Sequence, residues 1–248
     1  MADAHDMTAT VGTGDEERVF VPETRLGFWF LGTEIWESRV IRVALDDLER
    51  LIPPGRRPYR PVVLDAGCGQ GKSFRPLVER FAPERIIGVD FEPQCIAAAR
   101  ALCGEMPIEI RQGDLAALDL PHESVDLVFC HQTFHHLPLQ EKALAEFHRV
   151  LKPGGLLLFA ESTRAYIESW VIRLLFRHPM EVQRSAEEYE AMIRTQGFEF
   201  GPENVSYPYL WWSRADLGAR EFWGFGVPPR GRREETLVNL VAGKPLRA

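Results

Sequence analysis

The feature that most constrains the fold is a short apolar run followed at once by an acid and three alternating glycines. Residues 62–64 read Val-Val-Leu, Asp65 follows, and glycines stand at positions 67, 69 and 71 before a helical pattern begins. The apolar run predicts a buried strand, and the glycines allow a sharp turn that a ligand can approach closely. A helix that begins after such a turn offers unpaired N–H groups. The segment predicts a strand–turn–helix ligand site, and the alternative is a tight turn with no ligand.

Two well-known phosphate-binding patterns do not fit this turn. The dinucleotide pattern G-x-G-x-x-G needs a third glycine at position 72, where the chain has Lys72. The phosphate-loop pattern G-x-x-x-x-G-K-[ST] ends correctly at Ser73, but its first glycine would have to replace Ala66. An enzyme that uses NAD is therefore disfavoured by the glycine spacing.

Two further acids follow predicted strands at regular positions along the chain. Asp90 ends the apolar run 86–89 and lies 19 residues beyond Gly71, which is about the spacing of an acid that accepts both hydroxyls of a ribose. The alternative for Asp90 is a helix-capping acid. Asp114 follows a third strand at residues 108–110, and a fourth strand spans 123–130.

Together these motifs resemble those of the class I S-adenosylmethionine (SAM) dependent methyltransferases, in particular the type 11 small-molecule group. The resemblance is carried by the acid-x-G-x-G-x-G run, the Val-Asp-Leu-Val segment at 125–128 and Arg-Val-Leu-Lys-Pro-Gly-Gly at 149–155, and it covers about residues 61–161. It implies SAM as the cofactor and S-adenosylhomocysteine as the product. It also implies contacts for individual residues: Asp65, Gly67, Gly69 and Gly71 with the amino-acid part, Asp90 with the ribose, Phe91, Asp114 and Leu115 with the adenine, and His131 over the cofactor.

The resemblance also implies the fold. The fold would be α/β, a Rossmann-like doubly wound sheet of seven strands, mostly parallel, with a C-terminal antiparallel hairpin. An N-terminal helix and an inserted lid segment would be added to it. We expect a disordered tail over 1–18, an aromatic and helical cap over 19–60, a SAM-binding core over 61–161, and lid helices with closing strands over 162–248, all in a single domain.

Histidines follow the fourth strand, where the ligand crevice of such a sheet opens. Three interpretations of His135 and His136 stay open: they shape the pocket, His135 acts as a general base, or they bind a metal. The metal is disfavoured because adjacent histidines point in different directions and no acid or cysteine completes a set. We expect no metal, and His135 is the candidate catalytic residue.

The segments outside the core are rich in aromatic residues, as are pockets for small apolar ligands. The predicted substrate-pocket residues are Phe28, Trp29, Trp36, Trp170, Tyr207 and Trp211. They favour methyl transfer to a small hydrophobic acceptor, such as a quinone-like, polyketide or isoprenoid/sterol-type molecule. The alternative is a catalytically inactive SAM-binding partner or regulatory protein. Methylation of protein or DNA amines is disfavoured because residues 131–134 read His-Gln-Thr-Phe instead of N/D-P-P-Y/F.

Composition and charge bear on the classes of ligand and the cellular compartment that remain open. A net charge of −7 argues against a general nucleic-acid binder. Four cysteines without C-x-x-C spacing predict reduced thiols in a cytoplasmic protein. No secretory signal or membrane-spanning segment is predicted.

The helical run 166–176 is interpreted as a core helix, a lid over the pocket, or a surface that rests on lipid. The oligomeric state is not predicted.

Overall fold

The computed structural model describes residues 24–247 of the chain. The predicted tail over 1–18 and the first part of the predicted cap, residues 19–23, lie outside the described residues. Within the described part, none of the helices is long and apolar enough to cross a membrane.

A seven-stranded sheet forms the centre of the molecule, with strand order β3-β2-β1-β4-β5-β7-β6. Neighbouring strands from β3 to β5 run parallel, and β7 runs antiparallel to both β5 and β6. This confirms the predicted mostly parallel, Rossmann-like sheet with an antiparallel C-terminal pair. The strands are β1 (Val62–Ala66), β2 (Arg85–Asp90), β3 (Ile108–Gln112), β4 (Val125–His131), β5 (Leu151–Ser162), β6 (Val205–Ser206) and β7 (Leu237–Gly243).

Helices cover both faces of the sheet, because successive residues of a buried strand point to opposite sides. Val63 packs in the core that contains Leu48 and Phe74, whereas Leu64 packs in the core that contains Phe147 and Tyr189. The helices are α1 (Arg25–Leu31), α2 (Glu34–Trp36), α3 (Arg42–Leu51), α4 (Phe74–Phe81), α5 (Pro93–Leu102), α6 (Gln140–Val150), α7 (Arg164–Ile167), α8 (Trp170–Leu175), α9 (Ala186–Thr195) and α10 (Ala219–Phe222).

The N-terminal helix, which runs from Glu34 to Leu51 and includes α2 and α3, contains a wide turn. Thr33 caps its start, since its hydroxyl accepts a hydrogen bond from the Trp36 N–H at 3.2 Å. Between α2 and α3 lies a π-helical segment, Glu37–Ile41. Such segments occur often at functional sites. This one carries the buried acid Glu37.

An apolar run predicts the fifth strand over residues 156–160, and an aromatic stretch predicts a strand over 205–212; both predictions are wrong in extent. β5 begins at Leu151 and not at Leu156, because Leu151 already pairs with Val125 before the ladder becomes irregular. The aromatic stretch 205–212 is not a strand beyond Ser206, and residues 211–213 form a 3₁₀ turn. Pro208 lacks the N–H that a ladder needs, which ends the pairing.

The segment after β5 is broken into short helices. The predicted helix over 166–176 is two helices, α7 and α8, because Ser169 adopts an extended conformation between them. Ser185 with Glu188 three residues later predicts a capping box at the start of α9, and the structure confirms it. The Ser185 hydroxyl accepts from the Glu188 N–H at 3.2 Å, and the Glu188 carboxylate accepts from the Ser185 N–H at 2.7 Å.

Candidate functional site

The glycine turn after β1 is fastened to the end of β2. The N–H groups of Gly67 and Cys68 both donate to the carbonyl oxygen of Val89, at 2.8 and 3.1 Å. The Gly69 N–H donates to the Asp90 carboxylate at 2.8 Å. The carboxyl ends of β1 and β2 therefore meet at one crevice, which is where ligands bind in sheets of this type.

Two of the three glycines are required for different reasons. Gly67 has φ +76°, and a Cβ there would lie 2.1 Å from the Thr133 side chain. Gly69 has φ +51°, and a Cβ there would meet nothing within 4 Å. The backbone at Gly67 is thus packed against protein, while Gly69 leaves open space for a ligand.

Asp65 lies at the carboxyl end of β1 and is almost fully buried. Its carboxylate accepts a short hydrogen bond from the Ser73 hydroxyl. Burial raises the pKa of Asp65 to about 7, repulsion from Asp90 adds to the rise, and the Ser73 hydrogen bond opposes it. A cationic ligand group beside Asp65 would favour the ionised form.

The other two acids also hold the loops around the crevice. Asp90 accepts from the Glu92 N–H at 2.9 Å as well as from Gly69, and burial raises its pKa although these backbone donors lower it. Asp114 accepts from the Ala116 N–H at 2.8 Å. A carboxylate has about four lone-pair sites, so Asp90 and Asp114 can accept further bonds from a ligand.

A cavity of about 230 Å³ opens between these loops and the N-terminal helix. Eight of the nine predicted cofactor residues line it: Asp65, Gly67, Gly69, Asp90, Phe91, Asp114, Leu115 and His131. Gly71, the ninth, is absent from the lining. A Cβ at Gly71 would lie 2.6 Å from the Phe74 ring, so this glycine serves the packing of α4.

His131 ends β4 at the cavity wall. Its ring stacks on Phe129, with centroids 5.8 Å apart, and approaches Trp36 at 5.9 Å. Burial, reinforced by His135, lowers the pKa of His131 to about 3, so the ring is uncharged near neutral pH.

His135 does not lie where a direct base would be needed. Its side chain is buried, and its Nδ1 lies 2.6 Å from the Glu161 carboxylate, while the neighbouring His136 lines the cavity. His135 therefore does not line the cavity, and no direct contact supports its role as a base.

The adjacent histidines lie side by side in the structure, although the expectation of no metal assumed that they point in different directions. The rings of His135 and His136 lie 4.2 Å apart, and His178 joins them at 5.1 and 4.9 Å. Burial, with a smaller effect of His135, lowers the pKa of His136 well below its ordinary value and that of His178 to about 3. The sequence reasoning missed His178 and Glu161, which no local spacing connects to the histidine pair.

The predicted substrate-pocket residues do not share one pocket. Trp36 lines the main cavity, and Tyr207 lines a second cavity of about 300 Å³. Trp29, Trp170 and Trp211 are 64%, 61% and 62% exposed and line neither of these two cavities. Phe28 is half-buried in α1, where its carbonyl accepts from the Gln70 side chain at 2.5 Å.

The second cavity adjoins the first at the end of β4. His131 and Gln132 line both. Gln132, which sequence reasoning also missed, has a left-handed backbone at φ +51°, and its side chain accepts a short hydrogen bond from Ser162. Strained non-glycine residues of this kind cluster at functional sites.

The N-terminal helix is held over the main cavity by charged and polar contacts with the glycine loop and α4. Lys72 pairs with Glu34 at 2.9 Å, and Arg75 pairs with the buried Glu37 at 2.8 Å. Leu31, Trp36 and Ile41 of this N-terminal part thereby form part of the cavity wall.

Comparison with known proteins finds similarity to methyltransferases. Residues 64–159 match the methyltransferase domain family. An S-adenosylmethionine-dependent methyltransferase of Mycolicibacterium smegmatis is 35% identical over 138 residues, 55% of this chain and 51% of that protein. The demethylmenaquinone methyltransferase of Deinococcus radiodurans is 37% identical over 120 residues, 47% of this chain and 50% of that protein. The chain thus spans about half the length of the curated relatives it matches.

Solved structures agree on the fold. A methyltransferase in complex with the Trm112 methyltransferase activator of Haloferax volcanii superposes with a TM-score of 0.65, covering 89% of this chain and 96% of that chain at 21% identity. At this identity the likeness concerns the fold alone. Residues 64–159, which carry the acids and glycines that line the crevice, are thus similar to the methyltransferase domain family, and the fold is that of solved methyltransferase structures.

Proposed function

We propose that this protein transfers the methyl group of SAM to a small hydrophobic or aromatic acceptor. The observation that carries the proposal is one cavity in which Asp65, Asp90 and Asp114 meet the open backbone of Gly69. These groups fit SAM: the acids match its ammonium, ribose and adenine amino groups, and a side chain at Gly69 would fill space that the ligand needs.

Individual residues would bind different parts of SAM. Asp65 and the backbone around Gly67 and Gly69 would hold the amino-acid part, and Asp90 would accept the ribose hydroxyls. Asp114 would accept from the adenine amino group, with Phe91 and Leu115 on the ring and His131 over the bound cofactor. SAM supplies an activated methyl group on its sulfonium. The remaining contribution of the protein is to position the acceptor and exclude water.

The second cavity is the best-supported place for the acceptor. It shares His131 and Gln132 with the first cavity and contains Tyr207, Leu210 and Trp212. Apolar residues make up most of its wall, beside the polar side chains of Asp47, Arg50 and Asn239, and such a wall suits a quinone-like, polyketide or isoprenoid-type molecule. The relative named as a demethylmenaquinone methyltransferase supports a small acceptor of this kind.

The test is transfer of labelled methyl from SAM to a panel of reduced quinones, aromatic polyketides and sterols, followed by product extraction. We expect label in an extracted product and accumulation of S-adenosylhomocysteine. Tyr207→Ala should raise the KM for the acceptor and leave SAM affinity unchanged. SAM binding without turnover on any acceptor would favour the alternative, a catalytically inactive SAM-binding regulator, and label in protein or nucleic acid would contradict a small acceptor.

A surface near the main cavity also supports contact with membrane lipid. Apolar side chains of α1 and α8 are exposed beside arginines at positions 25, 173 and 177. The Thr24 hydroxyl donates to the Leu175 carbonyl at 3.0 Å, which holds these two helices together. An apolar patch with cationic neighbours fits an anionic bilayer that contains a hydrophobic acceptor.

A further inference from the structure

Three histidines from two separate segments converge on one point beside the main cavity. His135 and His136 belong to the 3₁₀ turn that follows β4, and His178 belongs to the loop after α8. One ring nitrogen from each lies within 4.8 Å of the others. Imidazole nitrogens are the preferred ligands of several transition metals.

His135 is held as a metal-binding histidine usually is. Its Nδ1 lies 2.6 Å from the Glu161 Oε2, which leaves Nε2 for another partner. Glu161 is fully buried and is itself fixed by the N–H groups of Thr133 and Phe134, at 2.6 and 2.7 Å. A carboxylate on the far nitrogen of a ligating histidine fixes ring orientation and tautomer.

The loop that brings His178 is tied to the same turn. The Gln183 side chain donates to the carbonyls of His135 at 2.9 Å and Pro179 at 2.6 Å. Gln140, at the start of α6, donates to the Val182 carbonyl at 2.9 Å. These bonds hold the three rings together through the backbone and not only through ring packing.

We propose that His135, His136 and His178 form a binding site for a divalent transition metal such as Zn²⁺, with Glu161 as its orienting carboxylate. In a tetrahedral zinc site ligand nitrogens lie about 3.3 Å apart, so rotation of the rings must bring these nitrogens closer by at most about 1.5 Å. Three protein ligands leave one position open, as in catalytic zinc sites. His136 also lines the main cavity, so the metal would lie at the cavity wall.

The experiment uses the full chain, stripped with a chelator and then titrated with Co²⁺ and with Zn²⁺ in the absence of SAM. We expect one metal per chain, tetrahedral visible bands with Co²⁺, and micromolar or tighter Zn²⁺ affinity by calorimetry. His178→Ala should weaken the affinity by 100-fold or more. Glu161→Gln should weaken it by about 10- to 100-fold.

The matched control is His122→Ala, because His122 is exposed and lies outside the cluster. It should bind metal as the natural chain does. Melting temperatures measured without metal show whether each variant is folded. If His178→Ala does not fold, His178→Gln replaces it in the experiment. Absent binding in the natural chain, or equal binding in the folded His178 variant, would overturn the proposal and leave three rings that only pack against one another. SAM binding and methyl transfer are measured separately, so this result does not decide them.

Discussion

At the scale of single residues, the two glycines that border the crevice should fail in different ways. Gly67→Ala forces a side chain into Thr133 at a left-handed φ, so we expect it to lower the free energy of unfolding by more than about 2 kcal/mol. Gly69→Ala meets no protein atom, so its cost should be about 1 kcal/mol while SAM affinity falls by roughly tenfold or more. Urea unfolding and calorimetry measure the two effects, and normal SAM affinity in Gly69→Ala would contradict the binding role of that backbone.

Asp65 predicts a pH dependence of stability whose sign follows from its raised pKa. The carboxyl ionises near its ordinary value of 3.8 in the unfolded chain and near 7 in the folded one. Between about pH 4 and pH 7 the folded state therefore holds the extra proton, and stability falls as pH rises through this range. Above the folded pKa the loss is complete, and below the unfolded pKa it is absent.

The comparison that isolates this effect is Asp65→Asn, which keeps an acceptor for the Ser73 hydroxyl and cannot ionise. Urea unfolding across this pH range should show the natural chain losing stability relative to the variant as pH rises. A difference between the two chains that stays constant across the range would mean that Asp65 titrates in the folded protein as it does in the unfolded one.

At the scale of elements, Arg75 of α4 should be important for holding the N-terminal helix. Arg75→Ala removes contacts at 2.8 Å with Glu37 and 3.1 Å with Glu34, and leaves the buried Glu37 with Arg42 as its remaining arginine partner. We expect a loss of about 1–2 kcal/mol in the free energy of unfolding. Arg50→Ala, which breaks only the pair of Arg50 with Asp47, is the control and should cost less than about 0.5 kcal/mol by urea unfolding. Equal costs would mean that the helix is held by apolar packing alone.

The elements that sequence predicted best are those with local signals. The strand before Asp65, the acid that ends β2 and the capping box at Ser185 each depend on residues within a few positions. The sequence places the start of β5 too late, because Pro153 and the two glycines after it are typical of a loop, whereas Leu151 already pairs with Val125 of β4. The aromatic residues after Ser206 predict a longer strand because aromatic side chains favour strands, but Pro208 cannot donate to the ladder and β6 ends at Ser206.

The sequence predicts the residues of the pocket only in part, because some residues that meet there are far apart along the chain. His178 lies far from His135 in sequence, and Glu161 reaches His135 from the next strand. Which face of an aromatic helix points inward also depends on packing that no local pattern shows. Trp36 faces the cavity, whereas Trp29 of the preceding helix is exposed.

At the scale of the whole molecule, the exposed patch of α1 and α8 predicts binding to anionic vesicles. Trp29 and Leu174 are 64% and 74% exposed on these neighbouring helices. The purified chain should float with vesicles that contain anionic lipid and less with neutral ones. The double variant Trp29→Glu with Leu174→Glu should stay with the soluble fraction, because buried charge at the interface is unfavourable.

The control for the lipid surface is Tyr59→Glu, since Tyr59 is 91% exposed and lies outside α1 and α8. It should float as the natural chain does. Flotation of the double variant at the natural level, or no flotation of the natural chain, would exclude this surface as the membrane contact.

The central claim is that the three acids and the glycine turn bind SAM, and calorimetry of SAM and S-adenosylhomocysteine with Asp90→Ala tests it most directly. Asp90 fastens the Gly69 backbone and would accept the ribose hydroxyls. The exposed Asp119→Ala is the matched control. We predict that both ligands bind the natural chain and the control alike, and that Asp90→Ala weakens binding by roughly tenfold or more. Unchanged affinity in a folded Asp90→Ala variant, or no binding by the natural chain, would contradict the claim.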